Sequence, residues 1–230
     1  MYVTGRLYVR DMVVSDWLPK LTVSEPLVAS PNLAPRRGVS AIRWEHGQRR
    51  LSTLFWGLTP PWLNVLDNAP HCARAESLAS RPMFREALQV RRCAVPVSGF
   101  YAWKSQPRGK QPYLITHTQR SPLLLAGLWC RYHTTLSTFT DSMALITVPA
   151  NACLMPVTDR LPTIIAPQQL DTWLHPASES DEIQQLLTPP ALELLGAFPV
   201  SRHVNNPAYQ SPACAHPIGP MLRWASTQES

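Results

Sequence analysis

An imidazole and a thiol adjoin at His71-Cys72, residue types that together can furnish a base and a nucleophile. Neighbours on an extended strand point to opposite faces, so His71 is badly placed to activate Cys72. The pair reads first as a small buried or cleft-lining thiol beside an uninvolved histidine, with a relocated nucleophile as the alternative. Cys93, Cys130, Cys153 and Cys214 are widely spaced, with no C-x-x-C pair and no histidine at zinc-site spacing. Buried reduced thiols are therefore expected, with no metal and no cofactor. The cations point elsewhere. Of 21 basic residues, only Lys20, Lys104 and Lys110 are lysines, and the net charge is +6. Guanidinium forks suit phosphate oxygens and stack on bases, so the bias fits a nucleic-acid partner, although arginine usage also follows genomic composition. The doublets Arg36-Arg37, Arg49-Arg50 and Arg91-Arg92 read either as solvated surface or as part of a nucleic-acid path.

The elements that must position these residues are mostly strands. Apolar or alternating β-rich stretches fall at Val39–Trp44, Arg50–Leu58, Cys93–Trp103, Tyr113–His117, Leu123–Trp129, Met143–Val148, Pro162–Ala166 and Phe198–Val204. With 24 prolines punctuating them, they predict one or two curved, mainly antiparallel sheets. Helices are expected at 80–88, where Ser80 is a cap candidate and Pro82 comes early, and at Pro167–Leu174 and Ser180–Leu187. Ser105–Lys110 reads as a hairpin loop, and the polar stretch from about Met221 to Ser230 as a disordered tail. A single domain over residues 1–220 accounts for the rest. No run approaches the roughly 18 apolar residues of a membrane helix, and the N-terminus lacks the apolar stretch of a signal peptide, so a cytoplasmic location is expected.

Ten local signatures follow one another in a fixed order: Gly5-Arg6; Asn32-Leu33-Ala34-Pro35; Trp56-Gly57-Leu58-Thr59-Pro60-Pro61-Trp62; Ala73-Arg74-Ala75-Glu76-Ser77; Arg91-Arg92-Cys93-Ala94-Val95-Pro96; Gly99-Phe100-Tyr101-Ala102-Trp103-Lys104; Ala126-Gly127-Leu128-Trp129; Thr147-Val148-Pro149-Ala150-Asn151; Thr158-Asp159-Arg160-Leu161-Pro162; and Pro199-Val200-Ser201-Arg202-His203-Val204-Asn205. Over roughly residues 4 to 218 the series resembles the SOS response-associated peptidase (SRAP) family. The resemblance implies an α+β fold, a curved, mainly antiparallel β-barrel-like sheet with peripheral helices, and a basic cleft for single-stranded DNA, at abasic sites or single-strand/double-strand junctions. In active members an N-terminal cysteine condenses through its amine with the ring-opened aldehyde of an abasic site. Its thiol then closes a thiazolidine, while an Asn, a Glu and a His assist.

Carried over position by position, that chemistry is missing. The family's cysteine corresponds to Thr4, which lies behind Met1-Tyr2-Val3, and Tyr2 is too bulky for routine removal of the initiator methionine. The Asn falls at Cys72, the Glu at Ala102 and the His at Thr158. A hydroxyl without a base is a poor nucleophile, and neither alanine nor threonine replaces a group that titrates near neutrality. The binding positions are kept: the resemblance implies DNA contacts at Arg6, Asn32, Pro35, Trp56, Gly57, Arg74, Trp103, Thr147 and Arg160. The bland readings are core tryptophans at 56 and 103, an ion pair of Arg74 with Glu76 or Asp159, and one of Arg160 with Asp159. A DNA-binding protein without the thiazolidine chemistry is the leading expectation. An enzyme rewired through Cys72 or the Met1 amine, and a protein-interaction module without DNA, are the alternatives.

Overall fold

The computed structural model describes residues 5–62, 69–107, 109–133, 135 and 137–224. Two sheets dominate it. The first runs β14 (Leu222–Arg223), β13 (Leu195–Pro199), β9 (Gly109–His117), β8 (Gly99–Gln106), β1 (Arg6–Val9), β3 (Ser30–Leu33), every pair antiparallel. The second runs β12 (Arg160–Pro162), β11 (Phe139–Pro149), β10 (Leu123–His133), β7 (Arg92–Val97), β4 (Gly38–Glu45), β5 (Gln48–Trp56), β2 (Leu21–Val23). Because β5 also pairs with β11, in parallel, the strands β11, β10, β7, β4 and β5 close into a barrel. The short β6 (Cys72–Arg74) lies parallel to β11 just beyond that closure. Among the described residues no helix is long and apolar enough to cross a membrane.

Period-two alternation distributes the barrel's apolar side chains between two clusters. Cys93, Val95, Leu125, Met143 and Leu145 pack with Leu7, Phe100 and Ile115 of the first sheet. Ala94, Leu124, Ala126, Ala144 and Ile146 pack with the helices α1 (Pro82–Val90) and α2 (Leu170–Leu174). A third helix, α3 (Ser180–Leu186), adds Ile183 to the second cluster. Pro96 is tolerated in a barrel strand because β4 pairs with β7 only at Cys93 and Ala94. At the crossing from β7 to β8 the chain needs glycine, since a Cβ on Gly99 would stand 2.6 Å from the carbonyl oxygen of Ile115.

Several boundaries differ from the sequence expectation. The run 93–103 is two strands in two sheets, broken at Ser98, whose backbone N–H donates to the Tyr8 carbonyl. Strand pairing extends through the expected loop to Gln106 opposite Gly109. The run 198–204 stops being a strand at Pro199 and becomes a 3₁₀ turn at Arg202–Asn205. Ser80 does not cap α1, which starts from Arg81 without a side-chain cap. Leu222 and Arg223 pair with β13, so the expected tail begins inside the fold; residues 225–230 lie outside the described residues. The short strands β1, β2, β3, β6 and β14 gave no period long enough to recognise.

Arg92 corrects the expectation of solvated or DNA-facing doublets. It is 2% exposed and donates to the carbonyls of Leu88 and Gln89 at the end of α1 and of Trp173 and His175 at the end of α2. One cation thus closes two helix C-termini whose carbonyls have no intrahelical donors. Arg91 pairs with Glu86, and Arg49 with Asp171.

Candidate functional site

One cavity, of about 360 Å³, is lined by segments of both sheets. Its walls include Arg6, Trp103, Ser105 and Lys110 from the first sheet, and His71, Thr158 and Asp159 from the segments that lead into β6 and β12. Register explains the first group. Arg6 pairs with Tyr101, Trp103 with Pro112 and Ser105 with Lys110, so period-two alternation puts all four wall residues on one face of the sheet. Gly5, Pro35 and Asn205 complete the lining.

The Arg6 guanidinium donates to the carbonyls of Val204 and Asn205 and to Asn32 Oδ1, and lies 5.7 Å from the Trp103 ring centroid. Burial lowers its pKa from the ordinary arginine value. Trp103 Nε1 donates to Asn205 Oδ1 at 2.7 Å. Arg6 therefore clamps the C-terminal segment against β8 and supplies positive charge to the cavity wall, rather than presenting an unoccupied fork. Asn32 is fully buried, and its amide donates to the carbonyls of Val204, Asn206 and Tyr209. Any part it has in DNA contact is through the segment it holds.

Trp56 likewise has no exposed ring face. Its Nε1 donates to the His71 carbonyl at 2.8 Å and its ring meets the His71 ring edge-on, so it supports His71 from beneath and is not a surface on which bases stack. Gly57 N–H donates to the Met143 carbonyl, and a Cβ there would come within 3.1 Å of the Phe55 ring. The loop carrying Pro35 is tied to the same place by bonds of Arg36 N–H to Trp56 O and Trp56 N–H to Arg37 O.

The two remaining family arginines differ. Arg160 is buried, donates to both carboxylate oxygens of Glu76 at 2.8 and 2.7 Å, and to the hydroxyl and carbonyl of Thr147. Thr147 in turn donates to Ala73 O. The ion pair thus exists, but its partner is Glu76 rather than Asp159, and Arg160 and Thr147 lock β6 to the β11–β12 end of the barrel. Arg74, at the end of β6, is exposed, and among the described residues it makes no ion pair.

The Arg160 guanidinium holds the Glu76 carboxyl below the usual range. A depressed carboxyl contributes stability that is present above the unfolded value near about 4.3 and is lost as pH falls through the folded value. Glu76 is half exposed, so Glu76→Gln should cost only about 1 kcal/mol at neutral pH. Urea unfolding curves of the two proteins should converge below about pH 4.

At the positions where the resemblance led us to expect assisting groups, the side chains are apolar or self-contained. Ala102 is buried in the cluster between the sheets, on the face opposite Trp103. Cys72 packs against that cluster, and burial pushes its thiol up to about 12, leaving on the order of 10⁻⁵ as thiolate at neutral pH. Thr158 exchanges hydrogen bonds with the backbone of Arg160 inside its own turn. Thr4 and Met1 lie outside the described residues. The cavity also holds the titratable groups His71, Asp159 and Lys110, none of which was among the expected DNA contacts. Asp159 falls within a recognised motif and His71 adjoins Cys72, where it was read as uninvolved; Lys110 had no signal beyond its place in a hairpin.

The model of the family described as SOS response associated peptidase (SRAP) matches residues 9–207. The abasic site processing protein YoqW of Bacillus subtilis is 33% identical over 187 residues, covering 80% of this chain and 84% of that one. The abasic site processing protein YedK of Escherichia coli is 26% identical over 191 residues, covering 81% and 84%. A crystal structure of a Bordetella bronchiseptica protein superposes with a TM-score of 0.75 at 21% identity, covering 86% of this chain and 99% of that one. One from Bacteroides thetaiotaomicron gives 0.71 at 23% identity, covering 79% and 82%.

Proposed function

Since this chain belongs to the SOS response associated peptidase (SRAP) family, we propose that it binds single-stranded DNA at abasic sites without forming a thiazolidine crosslink. The observation that carries the reading is the split at the cavity. A cationic and aromatic wall of Arg6 and Trp103, with Arg74 exposed nearby on β6, is kept, whereas Cys72, Ala102 and Thr158 supply neither a thiolate nor a proton carrier. Arginines attract phosphate, and a partly open tryptophan stacks an unpaired base. Relatives named as abasic site processing proteins supply the choice of lesion.

Two measurements test it together. Incubation with a single-stranded oligonucleotide carrying one abasic site, followed by denaturing electrophoresis without reductant, should give no stable protein–DNA band. Fluorescence anisotropy should show binding that weakens steeply between about 50 and 200 mM salt, and Arg74→Ala should reduce the log–log salt slope by about 1. A stable covalent band would overturn the absence of thiazolidine chemistry. Salt-independent or absent binding would favour a protein-interaction module.

A further inference from the structure

Glu76 is a carboxylate among cations, a charge that the binding reading leaves without a task. Register sets its surroundings. Arg74 lies opposite Thr147 and Arg160 opposite Pro149, so period-two alternation puts Arg74, Thr147 and Arg160 on one face of the sheet. The 3₁₀ turn Ala75–Ser77 directly after β6 carries Glu76 back over that face to Arg160. The pair is unevenly buried, with the Arg160 side chain 10% exposed and that of Glu76 50%. The carboxylate is thus the outer partner and covers the guanidinium. Arg160 does not depend on it for its position, because its Nε and Nη2 also donate to the hydroxyl and carbonyl of Thr147. The two bonds to Glu76, at 2.8 and 2.7 Å, leave the guanidinium side by side, a fork that fits two oxygens of a phosphate equally well. Hydrogen bonds from Arg160, followed by the charge of Arg160 and then of Arg74, hold the carboxyl below its usual range. At neutral pH it is an anion that both arginines attract.

We propose that Glu76 is a built-in competitor for DNA: its carboxylate occupies the Arg160 fork in the unbound protein, and a phosphate of the bound strand displaces it, so that Arg74 and Arg160 hold the strand together. This rests on the DNA-binding reading above. One anion replaces another on the same donors. The half-exposed Glu76 side chain turns out into water, while Thr147 keeps the fork aimed. Breaking the ion pair offsets part of what the new phosphate contact contributes, so Glu76 lowers affinity and speeds release of the strand. A purely structural pair has the opposite consequence. Its loss would loosen β6, and with it Arg74, and binding would weaken. The sign of the effect on affinity therefore separates the two roles.

The test measures fluorescence anisotropy of a labelled single-stranded oligonucleotide with one abasic site, titrated with the full-length protein over a range of salt. Glu76→Gln, although less stable, should bind roughly fivefold or more tightly than the wild type, and its log–log salt slope should steepen by about 0.7, the share of one further phosphate contact on a single strand. Glu193→Gln, at an exposed acid on the segment before β13, makes the same change in net charge and should shift affinity less than about twofold. Adding Arg160→Lys to Glu76→Gln should return affinity and slope to near the wild-type values, because an ammonium cannot supply the fork; thermal melts check that each variant is folded. If the double variant does not fold, the slope of Glu76→Gln decides alone. Unchanged or weaker binding by Glu76→Gln would overturn the proposal and assign the pair a structural role. An equal gain from Glu193→Gln, or an unsteepened slope, would reduce the effect to net charge and overturn it as well. If neither the wild type nor Glu76→Gln binds the strand, the DNA-binding reading itself fails, and this proposal with it.

Discussion

Arg92→Ala should destabilise the protein by about 4 kcal/mol. The guanidinium donates to the carbonyls of Leu88, Gln89, Trp173 and His175, and its removal takes that donor from buried or half-buried acceptors at two helix ends, of which His175 keeps the Ser178 N–H. An unsatisfied buried polar group costs about 1–3 kcal/mol, and partial entry of water relieves some of the four. In a chain of 230 residues the loss corresponds to a fall in melting temperature of roughly 10 °C. Arg92→Lys should recover only part of it, because one ammonium cannot span both helix ends. Calorimetry or urea unfolding of the three proteins measures the series, and a loss under about 1 kcal/mol for Arg92→Ala would show that the two helix ends do not depend on this residue.

Trp103→Ala should weaken binding to single-stranded DNA by about 2 kcal/mol, roughly 30-fold. The indole lines the cavity beside Arg6, and its Nε1 fixes the Asn205 side chain, so the substitution removes a stacking face and loosens one wall. Trp103→Phe keeps an aromatic face without the donor and should lose less than tenfold. Equal losses in the two variants would assign the effect to the Asn205 bond instead. Trp56→Phe provides the contrast: that ring is buried under His71, so its change should appear as lost stability.

What was legible in the sequence was legible because it was local or ordered along the chain. The ordered signatures pointed to the family that the matched residues 9–207 show, and longer apolar or alternating runs such as 123–129 and 143–148 marked strands that the fold contains. The β12 region and the end of the 198–204 run were less clear, because a strand of three to five residues carries too few alternations to separate it from a turn. Arg92 was unreadable for another reason. Its four acceptors lie on two helices, one about 80 residues away, and nothing in a doublet of arginines distinguishes such a cap from a solvated pair.

The sequence by itself determined the family and the α+β class, since those follow from the order of the motifs along the chain. Only the tertiary structure decided which retained arginines are open. Arg160 is closed by Glu76, 84 positions away, Arg6 by the carbonyls of Val204 and Asn205, and Arg74 is left exposed. The same holds for the set His71, Asp159 and Lys110, which comes from three separate segments and faces one cavity only because strand register and barrel closure bring them there. Hydrogen-bond partners and shared walls are properties of distance in space, and a one-dimensional pattern carries that distance only where pairing is local.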